Sequence, residues 1–210
     1  GRALSRAAAD AGAAVSIEAH RAAAEFYHER LLGSPEARIG RDFLRERGFA
    51  SPEAKLFGIG YAPRGGEELA RHLRAKGFTD EELTVGGLCG RGSRGLYDRF
   101  RGRLIWPIRD VTGATVGFGA RRLSEEDKGP KYLNTPETAI YHKAQVLYGL
   151  DLAKKEIARS SSIVVVDCLV GSAETDWRSE LGIASRLTSS DSSEGMRTSV
   201  VLLRLRVKTT

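Results

Sequence analysis

The chain has 210 residues, 41% of them hydrophobic and 29% charged, a balance that can fill one domain or two subdomains and excludes wholesale disorder. No apolar run approaches the roughly eighteen residues of a membrane span, and two cysteines, Cys89 and Cys168, are too few for a disulfide framework, which favours a cytoplasmic setting. The net charge of +6 favours polyanionic partners.

The first segment, residues 1–16, is basic and Ala-rich and reads as a linker or boundary. Residues 17–32 carry Ile17, Ala24, Tyr27 or His28, and Leu31 near helical spacing. Ser34-Pro35 opens a second helix with Ile39, Phe43 and Leu44 inward, which Gly48 ends. Ser51-Pro52-Glu53 starts a third, and FGIGYAP at 57–63 reads as a Gly-flanked strand or tight loop. A helix over 67–76 follows, with Leu69 and Leu73 inward, and Thr79 through Glu82 matches a capping box. Residues 85–95, VGGLCGRGSRG, read as a flexible connection that matches neither the dinucleotide nor the phosphate-loop glycine pattern.

From Phe100 the texture changes. Leu104, Trp106 and Ile108 alternate as the inward side of a strand, residues 110–113 supply a turn, and residues 116–119 return as its partner. Residues 136–152 are helical in pattern, interrupted at Gly149 and resuming toward Ile157, with Thr135 as the cap. IVVVD at 163–167 is an interior strand that ends on an acid. Residues 171–210 form a divergent Ser/Thr-rich tail in which 200–207 is strand-like. The fold class is α+β, with a mixed basic unit leading into the start of an α/β sheet.

The charge is concentrated. From Arg91 to Lys131 there are ten Lys/Arg against five Asp/Glu. Arg99, Arg101, Arg103 and Arg109 flank the strand at Leu104, and Arg121, Lys131 and Lys143 lie near the following turns, so these cations are candidate phosphate contacts. Tyr132 adds a stacking surface and Asn134 a polar donor, whereas Trp106 reads as core. His20, His28, His72 and His142 are scattered and accompany no CxxC or HExxH, so no zinc is expected.

GLYDRFRGRLIWPIRD, GFGARR, PKYLNTPET and YHKAQVLYGL, in that order, resemble the catalytic core of bacterial DNA primases. AEFYHERLL, DFLRERGF and FGIGYAP extend the resemblance, which covers about residues 17–167. It implies a primase-core N-terminal subdomain over 17–160 and the first strand of a toprim-like subdomain over 161–170. It also implies an enzyme that copies a single-stranded DNA template into RNA from ribonucleoside triphosphates, using Mg2+ or Mn2+ and holding an RNA/DNA hybrid. A replicative helicase and a single-strand-binding protein are the implied partners, and the nucleoid the implied location. The family's groove residues map onto Arg47, Arg121, Lys131 and Lys143, with Asn134 beside them.

Asp167 corresponds to the first metal-binding acid of that family, where the pattern continues Gly-Tyr-x-Asp and later Asp-x-Asp. This chain instead reads Asp167-Cys168-Leu169-Val170-Gly171 and carries no later Asp-x-Asp. Such a break fits a truncation, a shifted reading frame or a sequence error. Two readings follow: a primase-type nucleotidyltransferase core with an incomplete metal centre, or a non-catalytic module that binds single-stranded DNA. A structural protein whose basic face meets an acidic partner is a third.

Overall fold

A computed structural model describes residues 2–49, 51–93, 95–160, 163–170 and 200–207. Helix α1 runs from Arg2 to Gly33, so the helix expected from Ile17 already includes most of the segment read as a linker. A 3-10 turn at Pro35–Ala37 leads into α2 (Arg38–Glu46), and α3 (Ser51–Phe57) and strand β1 (Gly60–Ala62) follow. Helices α4 (Glu68–Ala75) and α5 (Asp80–Val85) precede a hairpin of β2 (Cys89–Gly92) and β3 (Gly95–Asp98). Strands β4 (Arg103–Arg109), β5 (Thr115–Arg122) and β6 (Tyr132–Asn134) complete an antiparallel sheet of order β1-β4-β5-β6.

The hairpin at β2 and β3 corrects the expectation of a flexible connection. Glycines that suggested looseness sit in paired strands: Gly90 lies opposite Tyr97, and a Cβ there would meet the end of the Tyr97 ring. The capping box at α5 is present in full, with the Thr79 N–H donating to Glu82 Oε2 at 2.8 Å and the Glu82 N–H to Thr79 Oγ1 at 3.3 Å. Helix α4 is capped from a distance, because both carboxylate oxygens of Asp98 accept the Leu69 and Ala70 N–H groups at 2.9 Å.

Strand β4 is buried on both faces, so the simple inward alternation of Leu104, Trp106 and Ile108 is corrected. One face, with Ile105, Phe118 and Ala120, packs against Ala19, Ala22, Ala23, Phe26 and Tyr27 of α1. The other, with Leu104 and Trp106, packs against Leu31, Phe43, Leu44 and Phe57. Pro107 is tolerated in this inner strand because β1 pairs only with Arg103, Leu104 and Ile105, leaving that edge unpaired further along.

The helix expected from Pro136 does not form. Thr135 extends the sheet instead: its N–H donates to the Phe118 carbonyl and its hydroxyl accepts the Phe118 N–H, both at 2.9 Å. Tyr141 is then buried against Ile108 and Val116, over Gly117, and this packing holds the segment across the sheet against its helical propensity. A 3-10 turn at Lys143–Gln145 intervenes before helix α6 (Leu150–Ser160). Strand β7 (Ile163–Val170) runs three residues past Asp167 and pairs in parallel with β8 (Val200–Val207), a partner that could not be read from the sequence.

His20 of α1 is fully buried, stacked on Phe118 at 5.7 Å, with Nδ1 hydrogen-bonded to the Ser16 carbonyl at 2.7 Å. Burial pulls its pKa from 6.5 down to about 4. The unfolded chain therefore takes up a proton on this group between those values and the folded chain does not. Its contribution is complete above pH 6.5 and is lost as pH falls toward 4, a change worth about 3 kcal/mol. Urea midpoints measured across that range should fall with acidification, and should fall less steeply in His20→Leu. Equal slopes in the two proteins would refute the assignment.

Candidate nucleic-acid interface

The sheet face that carries Leu104 and Trp106 continues across β5 and β6 as Gly119, Arg121, Tyr132 and Asn134, since Arg121 stands opposite Tyr132 and Gly119 opposite Asn134. At Gly119 the missing side chain leaves space, and a Cβ there would come within 3.3 Å of Asn134 Oδ1. Helix α2 borders this trough. Its Phe43 is partly buried in the core cluster of Leu31, Leu44 and Leu104 and lies beneath two guanidiniums, Arg47 at 3.5 Å and Arg121 at 3.9 Å from the ring centroid.

Little acidic charge answers these cations. Arg47 reaches Glu46 only at 3.8 Å, and that carboxylate is 71% exposed, so the pair is weak. Arg121 donates from Nη1 to the Arg122 carbonyl at 2.9 Å, but its Nε is shielded from solvent with no hydrogen-bond partner. Burial draws the Arg121 pKa below its usual value, Tyr132 opposes the shift and Arg47 adds to it; the group remains a cation. Asn134 is 7% exposed, and its Nδ2 also lacks a partner. Two shielded donors thus lie on one face, beside cations with few acidic neighbours.

Lys131 stands at the mouth, its Nζ 5.8 Å from the Tyr132 ring and its carbonyl accepting the Arg122 N–H at 2.8 Å. Arg99 donates from Nε and Nη2 to the Asn134 carbonyl at 3.4 and 3.3 Å, bracing β6 from behind, and burial lowers its pKa. A cavity of about 480 Å³ opens beside it, lined by Arg64, Arg99, Arg101, Asp127 and Leu133 among others. Arg101 lies 5.8 Å from the exposed Tyr97 ring.

The other sequence candidates are placed differently. Arg103 is buried, its side chain 5% exposed, and its donors are engaged by the Pro130 carbonyl at 2.7 Å and Asp127 Oδ2 at 2.6 Å, so it anchors the 127–130 turn. Arg109, at the far end of β4, approaches Asp151 of α6 at 3.7 Å and packs against Gly58. Lys143 begins the 3-10 turn after β6, and its backbone N–H is held by Glu137 Oε1 at 3.0 Å. The structure thus gathers Arg47, Arg121, Lys131 and Asn134, with Arg99 behind them. Phe43 was read only as core, although its position four residues before Arg47 on a helix already brings ring and guanidinium together.

Asp167 lies within β7, opposite Arg204 of β8 in the register, and not at the strand end where acids of a metal centre converge. Among the described residues no group of three or more His, Cys, Asp or Glu side chains could hold a metal ion. Among the described residues no helix is long and apolar enough to cross a membrane.

Residues 26–154 match the family described as DNA primase catalytic core, N-terminal domain. The chain is 60% identical over 151 residues to a DNA primase of Streptomyces coelicolor, an overlap covering 72% of this chain and 24% of the relative. A DNA primase of Mycolicibacterium smegmatis is 51% identical over 152 residues, with the same shares. The chain therefore spans about a quarter of the length of the curated relatives it matches. Among solved structures, the RNA polymerase domain of the Mycobacterium tuberculosis primase in complex with double-stranded DNA superposes with a TM-score of 0.76 at 39% identity, covering 91% of this chain and 55% of that one. A primase catalytic domain bound to single-stranded DNA gives 0.74 at 28% identity, covering 96% and 56%. With its matched segment spanning α1 through α6 and enclosing the Arg47–Arg121–Asn134 trough, the chain belongs to the DNA primase catalytic-core family.

Proposed function

We propose that this chain binds single-stranded DNA as the template platform of a primase core, and that the platform works without a complete metal centre of its own. The observation that carries the reading is the pair of shielded, unpartnered donors, Arg121 Nε and Asn134 Nδ2, beside the cations of Arg47 and Lys131. Phosphate oxygens satisfy those donors without reading bases, and Tyr132 offers a sequence-tolerant stacking surface. A related catalytic domain, 28% identical, has been solved bound to single-stranded DNA, which supports this choice of ligand.

In this reading the longer family members polymerise RNA primers from ribonucleoside triphosphates with Mg2+ or Mn2+. An RNA/DNA hybrid, a replicative helicase, a single-strand-binding protein and a cytoplasmic, nucleoid-associated setting belong to the same proposal. Here the residues Arg47, Arg121, Lys131, Asn134 and Lys143 orient the strand, Arg99 and Arg101 extend the basic surface, and Arg103 and Arg109 support it from within. Asp167 has no assigned step.

Anisotropy of a labelled oligothymidylate, titrated with this chain at several salt concentrations in EDTA, tests the reading. Binding should be salt-sensitive and indifferent to the chelator, and Lys131→Ala with Lys143→Ala should weaken it about tenfold and flatten the salt dependence. Unchanged affinity in that double variant, or binding that requires a divalent cation, would overturn the platform as drawn.

A further inference from the structure

Two guanidiniums over one benzene ring need an explanation. Arg47 and Arg121 come from different elements, the end of α2 and the end of β5, and each lies over Phe43. At 3.5 and 3.9 Å from one centroid, the two charges stand no further apart than the sum of those distances. Like charges that close repel, and Arg47 does act to lower the Arg121 pKa. The ring face attracts each of them, and the ring is itself fixed by packing against the core. Carboxylates do not account for both positions: Arg47 meets Glu46 only in a weak pair at 3.8 Å and also donates from Nη1 to the Phe43 carbonyl at 3.3 Å, and Arg121 bonds to a backbone carbonyl.

We propose that Phe43 is a positioning residue, a platform that holds the Arg47 and Arg121 guanidiniums as a preformed pair for a single backbone phosphate of the bound strand. This rests on the DNA-binding reading above and adds the group that organises it. A phosphodiester brings one negative charge and two free oxygens, which matches two forks held on a common support and leaves Arg121 Nε a partner. In the unliganded protein the ring offsets the mutual repulsion of the pair. On binding, the anion relieves it, and the arginines lose little conformational freedom because the ring has already ordered them.

The test compares Phe43→Leu and Phe43→Met, which preserve apolar packing, with Phe43→Tyr, which preserves the ring. Each is titrated against the labelled oligothymidylate alongside Arg121→Ala, with thermal midpoints recorded for all. Leu and Met should weaken binding at low salt by about fivefold and flatten the salt dependence, whereas Tyr should stay within about twofold of the parent. Wild-type affinity in Leu and Met, together with loss in Arg121→Ala, would overturn the positioning role and leave the interface standing. Equal losses in Tyr and Leu would overturn it too, since the ring would not be the cause. Wild-type affinity in Arg121→Ala would remove the interface itself, and the platform with it.

Discussion

Gly60→Ala is expected to destabilise the fold by about 3 kcal/mol. Gly60 lies in β1, paired with Ile105, where α1 crosses the sheet. A Cβ at this position would sit 2.5 Å from Tyr27 Cβ, 2.7 Å from the Tyr27 carbonyl carbon and 2.9 Å from its oxygen. Two of those atoms are helix backbone, so no rotamer change relieves the clash and the helix must lift from the sheet. Tyr27, Phe118 and His20 form the packed layer that would open. Urea denaturation of Gly60→Ala against Gly119→Ala supplies the check, because at Gly119 the neighbour is a side-chain oxygen at 3.3 Å. Equal midpoints for the two variants would refute the backbone-contact argument.

Removing both guanidiniums of the trough, as Arg47→Ala with Arg121→Ala, is expected to reduce single-stranded DNA affinity by about thirtyfold at low salt, the loss of one phosphate contact held by two charge-assisted forks. The slope of log affinity against log salt should flatten by about 0.7, the contribution of the one single-strand phosphate that the pair holds. The effect should depend weakly on base sequence, because phosphate contacts carry no base information. Lys at both positions should restore only part of the loss: an ammonium returns the charge, but not the planar fork that lies over Phe43. A slope unchanged from the parent would show that neither arginine meets a phosphate.

Much of the fold was legible where local chemistry decides it. The Thr79–Glu82 box, the turn at Asp110 through Gly113 and the pairing of the strands on either side follow from residue types and spacing alone. The expectations that failed were those decided by partners distant in sequence. Residues 136–149 have helical character, but Thr135 joins the sheet and Tyr141 fills the space over Gly117, contacts a one-dimensional pattern does not display. The glycines of residues 85–95 suggested looseness, and the close approach of Tyr97 to Gly90 gives them a different purpose. In the site, the resemblance to primases located Arg47, Arg121, Lys131 and Asn134, which the topology does gather. It could not separate the other arginines from Arg103, because that distinction depends on Asp127 and the Pro130 carbonyl lying 24 and 27 residues away.

The cap that Asp98 places on α4 bears on how the chain folds. Glu67 occupies the N-cap of that helix and Glu68 lies in its first turn, and its donors at Leu69 and Ala70 are satisfied by a residue 29 and 28 positions later. Neither short element is a stable unit by itself, since a helix of eight residues and a two-stranded ribbon are both marginal in water. Their formation is therefore coupled: the carboxylate that ends β3 is buried only when α4 is there to receive it, and α4 is held only when β3 has arrived. The α4 helix and the β2–β3 ribbon are therefore expected to open and close together.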